Sequence, residues 1–229
     1  MIRAPAIQKF WPTTQSLDLV RGSVDLVATG IEAEVRRFAA GARIEAGWRR
    51  FADISEALSS CMEYTNIPTM FIVFPTNSPW SVIWNNSFLC DGYDSLCWCL
   101  TKNHGLTTLH WASHDESTTF QPGTSFIYRT IHDGTVCERS VSCTQEDARW
   151  LFTQSGVSLP EENVSLYGAK RKRDRLNEAE MVQLLGRFGA RPWDESFYCL
   201  PKQDCFVLHR TEFPSSVVRR SPGEVIYAV

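Results

Sequence analysis

The chain has 229 residues, enough for one substantial hydrophobic core or two small ones. Its 23 Lys and Arg stand against 26 Asp and Glu, and a net charge of −3 does not mark a nucleic-acid or membrane-surface partner. No apolar run approaches the ~20 residues that span a bilayer. Met1-Ile-Arg-Ala-Pro-Ala lacks the apolar stretch of a secretory signal, so a cytoplasmic location is expected.

In chain order, residues 1 to 15 read as a loose arm docked by Phe10 and Trp11. Ser16 is placed to cap a helix running to about Ala40. Leu17, Val20, Val24, Val27, Ile31, Val35 and Phe38 recur at three- and four-residue intervals along it, and Gly41 ends it. Asp53, with Glu56 three residues on, opens a second helix whose inner face is Ile54, Ala57, Leu58, Cys61 and Met62. Trp48 and Phe51 precede it as staples to the core. A strand-rich centre follows: Phe71 to Phe74, a turn at 76 to 79, and Trp80 to Trp84. Asp91-Gly92-Tyr93-Asp94 turns into a helix over 95 to 103, which Gly105 stops, and Leu106 to Trp111 is a third strand. Thr124 to Ile131 and Val136 to Cys143 read as a hairpin about Asp133-Gly134. Gln145 to Phe152 is either a helical turn or an edge strand carrying Trp150. Leu159-Pro-Glu-Glu162 has the acids of a helix start, and that helix is expected to run through Tyr167 to Arg175. Asn177 and Glu180 cap another, with Met181, Leu184, Leu185 and Phe188 inward, Gly189 at its C-terminus and Pro192 beyond. Strands over 196 to 200 and 205 to 209 close the chain, and a poorly ordered tail follows from Arg210.

These elements predict a single α+β domain with a central, mainly antiparallel sheet and N-terminal and C-terminal helices packed on it. Its parts are a helical leading segment, 1–66, a sheet-containing core, 67–209, and a tail, 210–229. The eight cysteines are even in number, but the chain shows no export signal and is far larger than a disulfide-stapled miniprotein. Reduced, buried thiols, Cys61, Cys99 and Cys137 among them, are expected.

The stretch from 71 to 115 holds three of the eight Cys and three of the five His. Cys97 near a helix start, followed by Trp98, has the arrangement of the helix-borne Cys-Trp of papain-like peptidases. His110 or His114 would be the base, with Asp115 or Asn85 to orient it. The upstream oxyanion Gln of that family is missing, and a helix whose Cys and Trp fill the core explains the same residues. Cys97, Cys99, His104, His110 and His114 suffice in number for zinc, but C-x-C is not a zinc-knuckle spacing, so no metal and no cofactor is expected. Lys170-Arg-Lys-Arg173 with Arg175 goes nearly round a helix and reads as a solvated face, with Lys170 and Asp174 as an i, i+4 pair.

Charge is segregated along the chain. Residues 67–162 hold ten acids and four bases, a net of −6, whereas 163–191 hold seven bases and three acids, a net of +4. An acidic central surface suits a partner protein with a basic face. The candidate partner-binding residues are Asp91, Tyr93, Asp94, Asp115, Glu116, Glu161 and Glu162, all at predicted turns or helix starts where side chains are exposed. Trp84 and Trp111 beside them are either interface anchors or core.

Trp80-Ser-Val-Ile-Trp84-Asn-Asn-Ser through Cys90-Asp-Gly-Tyr-Asp-Ser-Leu-Cys97, with Arg149-Trp-Leu-Phe152, Leu159-Pro-Glu-Glu162 and Lys172-Arg-Asp-Arg-Leu176, resembles bacterial cytosolic proteins. Some of these resemble immunity proteins that accompany secreted antibacterial toxins. The resemblance spans about residues 69 to 200. It implies a non-enzymatic, one-to-one inhibitor that blocks the active site of a cognate toxin. It carries over no binding residues, because such interfaces vary from pair to pair. The alternative function is a cysteine-dependent hydrolase using Cys97 with His110 or His114.

Overall fold

The computed structural model describes residues 15–39, 41–61, 63–89, 93–114, 122–211 and 217–221. The strands are β1 (Ser16–Arg21), β2 (Ile44–Arg49), β3 (Tyr64–Thr65), β4 (Met70–Phe74), β5 (Trp80–Asn85), β6 (Thr107–His114), β7 (Gly123–His132), β8 (Thr135–Glu146), β9 (Arg149–Ser155), β10 (Cys205–Arg210) and β11 (Arg219–Arg220). The helices are α1 (Val24–Phe38), α2 (Ile54–Ser59), α3 (Asp94–His104) and α4 (Glu178–Arg187). Nine strands form one sheet in the order β2-β10-β4-β5-β1-β6-β7-β8-β9, with every neighbouring pair antiparallel. The fold is α+β, as expected. No helix among the described residues is long and apolar enough to cross a membrane.

The leading segment differs from its predicted form. Residues 16 to 21 form the strand between β5 and β6, in the middle of the sheet, and are not the first turns of a helix. Leu17 and Leu19 face one layer of core while Val20 faces the other. That is a period of two, and the helical spacing from Leu17 to Val24 is coincidental. The true helix cap is Ser23, whose hydroxyl accepts from the Leu26 amide at 3.4 Å.

One face of the sheet carries Leu19, Ile72, Trp84, Leu109, Phe126 and Val141 and is covered by α2 and by α4 with its flanking turns. The other carries Val20, Phe71, Val73, Ile83 and Leu208 beneath α1 and α3. Those two helices touch because Gly30 has no side chain, since a Cβ there would stand 2.8 Å from Leu100 Cδ2. Buried Glu34 of α1 then meets Asn103 Nδ2 at 2.9 Å and His104 Nε2 at 3.0 Å.

The local signals at α2, α3 and α4 operate as read. Asp53 accepts from the Glu56 amide at 2.8 Å, Gly105 takes the left-handed conformation after α3, and Asn177 accepts from the Glu180 amide at 3.0 Å. Asp133 and Gly134, both at positive φ, turn β7 into β8. The ambiguous stretch from 145 to 152 joins β8 to the edge strand β9 through Asp147 and Ala148, also at positive φ.

Two further expectations fail. No helix spans 163 to 175; two short 3-10 turns, Val164–Gly168 and Lys172–Asp174, take its place. The stretch lacks an apolar stripe to lay on the sheet, and neither turn buries a residue. Lys170 and Asp174 are therefore not helical neighbours, and Asp174 has Arg173 at 3.9 Å. Residues 196 to 200 make a 3-10 turn and one bridge, Tyr198 to Thr76, where a strand was expected. Of the tail, β11 pairs with β3, and residues 212–216 and 222–229 lie outside the described residues. The docking expected of Phe10 and Trp11 lies outside the described residues, as does Met62.

Candidate functional site

The candidate nucleophile is sealed. Cys97, on the inner side of α3, has no solvent exposure. Burial pushes its thiol well above the ordinary range, and the negative charge of the nearby Asp18 carboxylate pushes it the same way. His110 lies on β6 opposite Asp18 of β1, and its Nδ1 stands 2.7 Å from Asp18 Oδ1. Burial disfavours the imidazolium, but the Asp18 carboxylate outweighs it, and the net shift of His110 is upward. Among the described residues His110 is hydrogen-bonded to Asp18, and no hydrogen bond joins it to the Cys97 thiol. A catalytic order would place the imidazole between the other two.

The other imidazoles are dispersed. His104 is spent on Glu34, and His114 Nδ1 meets Gln15 Oε1 at 2.7 Å. Cys99 Sγ accepts from the Arg37 guanidinium at 3.4 Å. The seven described cysteines are free thiols, and Cys137 is exposed where a buried residue was expected, because it lies beside the solvent-exposed β7–β8 turn.

Of the seven acidic and aromatic candidates, Asp91, Asp115 and Glu116 lie outside the described residues. Tyr93 packs against Phe71 with ring centroids 5.5 Å apart. Asp94 stays partly open but holds the buried Arg129 of β7, whose Nη2 reaches Asp94 Oδ2 at 3.0 Å and whose Nε reaches Glu138 at 2.7 Å. Glu161 is half-buried, and its carbonyl accepts from Arg187.

Glu162 corrects the expectation of exposure, since its side chain is fully buried against Arg139 of β8. Two guanidinium bonds of 2.9 and 2.7 Å, the Tyr167 hydroxyl at 2.7 Å and the Leu159 amide at 2.7 Å surround it. Burial opposes the carboxylate, but the Arg139 pair and the other donors overcome it and hold Glu162 below the usual range. An acid at a turn is buried here because the chain returns over β8 and β9 and needs a charged anchor. Arg139 and Arg129 alternate to opposite faces of the sheet, since Arg139 pairs with Tyr128, one residue before Arg129. Glu162 and Asp94 therefore belong to opposite layers and do not share a surface. Trp84 and Trp111 are buried core residues.

Acidic and aromatic side chains meet at a different place. Where β1 turns into α1, beside the start of β5 and the junction leading into β10, lies an open groove of about 390 Å³. That volume falls within the range of ligand and side-chain pockets. Its walls include Asp25, in the first turn of α1, and Asp204, just before β10. Asp204 is bonded to Arg50 at 2.6 Å, whereas the exposed Asp25 carboxylate has no partner among the described residues. Trp48 of β2 lines the groove with 47% of its surface open, its ring edge-on to Phe206. The far wall is hydrogen-bonded. Ser78 Oγ lies 2.9 Å from Thr76 Oγ1 and accepts from the Trp80 amide, and the Trp80 indole donates to the Phe188 carbonyl at 2.9 Å. These residues come from four separated stretches of sequence, and Trp48 looked like a core staple because β2 was not recognised as an edge strand.

Compared with protein-family models, with curated proteins and with solved structures, the chain matches none.

Proposed function

We propose that this chain is a non-enzymatic binding protein of the immunity class, which neutralises a toxin-like partner in the cytosol by covering its active site. The observation that supports this reading is the groove, an open cleft carrying Asp25, Asp204 and the half-exposed Trp48. The Asp25 carboxylate, unpaired among the described residues, and the indole suit a Lys or Arg side chain, by charge and by cation–π contact. The N-terminus of α1 opposes a cation with about half a unit of positive charge, which the Asp25 carboxylate exceeds. The burial of Cys97 weighs against the hydrolase alternative, which has the Asp18–His110 pair in its favour.

The test is co-expression with the product of the neighbouring gene. Wild-type chain is expected to protect the cells, and Trp48→Ala with Asp25→Lys is expected to weaken binding by about thirtyfold or more, the scale of an interface hot spot. Death of cells that make the folded wild-type chain ends this reading.

A further inference from the structure

The two edges of the sheet differ. β9 carries a single charge, Arg149, and the chain after it folds back to anchor Glu162 on β8. β2 is exposed from Glu45 to Arg49, and among the described residues no strand lies on its outer side. It has no Pro or Lys, its two charges, Glu45 and Arg49, are of opposite sign, and it presents Trp48 to solvent.

The direction of its backbone groups follows from the ladder. Thr211 N donates to the Arg43 carbonyl, which continues the register in which Ile44 faces Arg210. Arg210 N turns the other way, to the Thr69 carbonyl next to β4. By antiparallel alternation Glu45, Gly47 and Arg49 bond to β10, and the N–H and C=O groups of Ile44, Ala46 and Trp48 point to the open edge.

We propose that β2 pairs antiparallel with β2 of a second copy of this chain about a two-fold axis at Gly47, joining two sheets into one. This register sets Ala46 opposite Trp48 of the second copy as a hydrogen-bonded pair, so the outward groups of both strands are satisfied. It also sets Glu45 opposite Arg49 of the second copy, twice, in the close non-hydrogen-bonded positions where opposite charges attract. Arg49 has no partner among the described residues, and Glu45 has only the exposed Arg43 at 3.1 Å. Gly47 meets Gly47, and nothing lies within 4 Å of where its Cβ would be. A shift of one pairing step, with Ala46 opposite Ala46, would bring Arg43 against Arg49, so charge selects the first register. The interface is isologous and closes after two copies. Both copies of Trp48 stand on one side of the joined sheet, which places the two grooves near the axis.

Sedimentation equilibrium on the full chain tests this with three charge variants and one backbone variant. The wild type is expected to dimerise. Glu45→Arg and Arg49→Glu, each setting like charges opposite, are expected to raise the dimer dissociation constant roughly tenfold or more, and the double variant to restore it. Ala46→Pro removes an outward N–H without touching a bond to β10 and is expected to be monomeric. Circular dichroism confirms that each variant is folded. A wild type that stays monomeric overturns the proposal and leaves this edge to a strand from another protein. A dimer indifferent to these substitutions, or a double variant that is not rescued, overturns it as well.

Discussion

Arg139→Ala is expected to lower the unfolding free energy by about 3 kcal/mol, at the lower end of what breaking a buried ion pair costs because the pair sits near the rim of the sheet. The guanidinium, at 3% exposure, binds Glu162, Gln154 and the carbonyls of Ser155 and Gly156. Truncation leaves a fully buried carboxylate with only the Tyr167 hydroxyl and the Leu159 amide, and leaves two carbonyls without this donor. The loss should fall on the whole segment from 156 to 168, which these bonds tie to β8. Urea denaturation of the variant, beside Val157→Ala at a site 87% exposed, measures it. A shift within the roughly 0.5 kcal/mol of an ordinary surface substitution would falsify the structural role given to this pair.

Asp18→Ala should be comparably costly, on the order of 3 kcal/mol or more, because Asp18 lies in the central strand at 1% exposure and accepts from both the His110 imidazole and the Tyr93 amide. Its pair with His110 also has a pH signature. The folded state holds the imidazolium more tightly than the unfolded chain does, so the His110 pKa is raised on folding. That contribution is fully present below the unfolded value of about 6.5 and is lost as pH rises through the higher folded value. The difference in stability between wild type and His110→Gln should therefore be largest below about pH 6.5 and shrink as pH rises above it. The groups facing the imidazole, Asp18, Asp94 and Arg129, remain in both proteins and largely cancel in the comparison. A difference that grows with pH would mean that His110 is buried as the neutral ring.

Local chemistry was legible wherever a few adjacent residues decide the outcome. The Asp53 and Asn177 caps, Gly105 after α3 and the Asp133-Gly134 turn are of this kind. The central strand was not, because Leu17, Val20 and Val24 satisfy helical spacing by accident and the two partners of β1 lie about 65 and 92 residues away. Glu162 misled for a related reason. A carboxylate after a proline looks solvent-exposed until Arg139, 23 residues earlier, is known to stand beneath it. The groove could not be read at all, since Asp25, Trp48, Trp80 and Asp204 meet only once the sheet is ordered.

The central claim is that the thiol and imidazole in the middle of the chain are parts of the scaffold. Native-state alkylation followed peptide by peptide in a mass spectrometer tests it, with Cys137, the exposed thiol, as internal reference. Cys137 should react at once, and Cys97 only as fast as the protein unfolds, with no gain in rate near neutral pH. Modification of Cys97 at a rate close to that of Cys137, rising through an apparent pKa below the ordinary thiol value, would contradict the account and return Cys97 and His110 to the role of reagents.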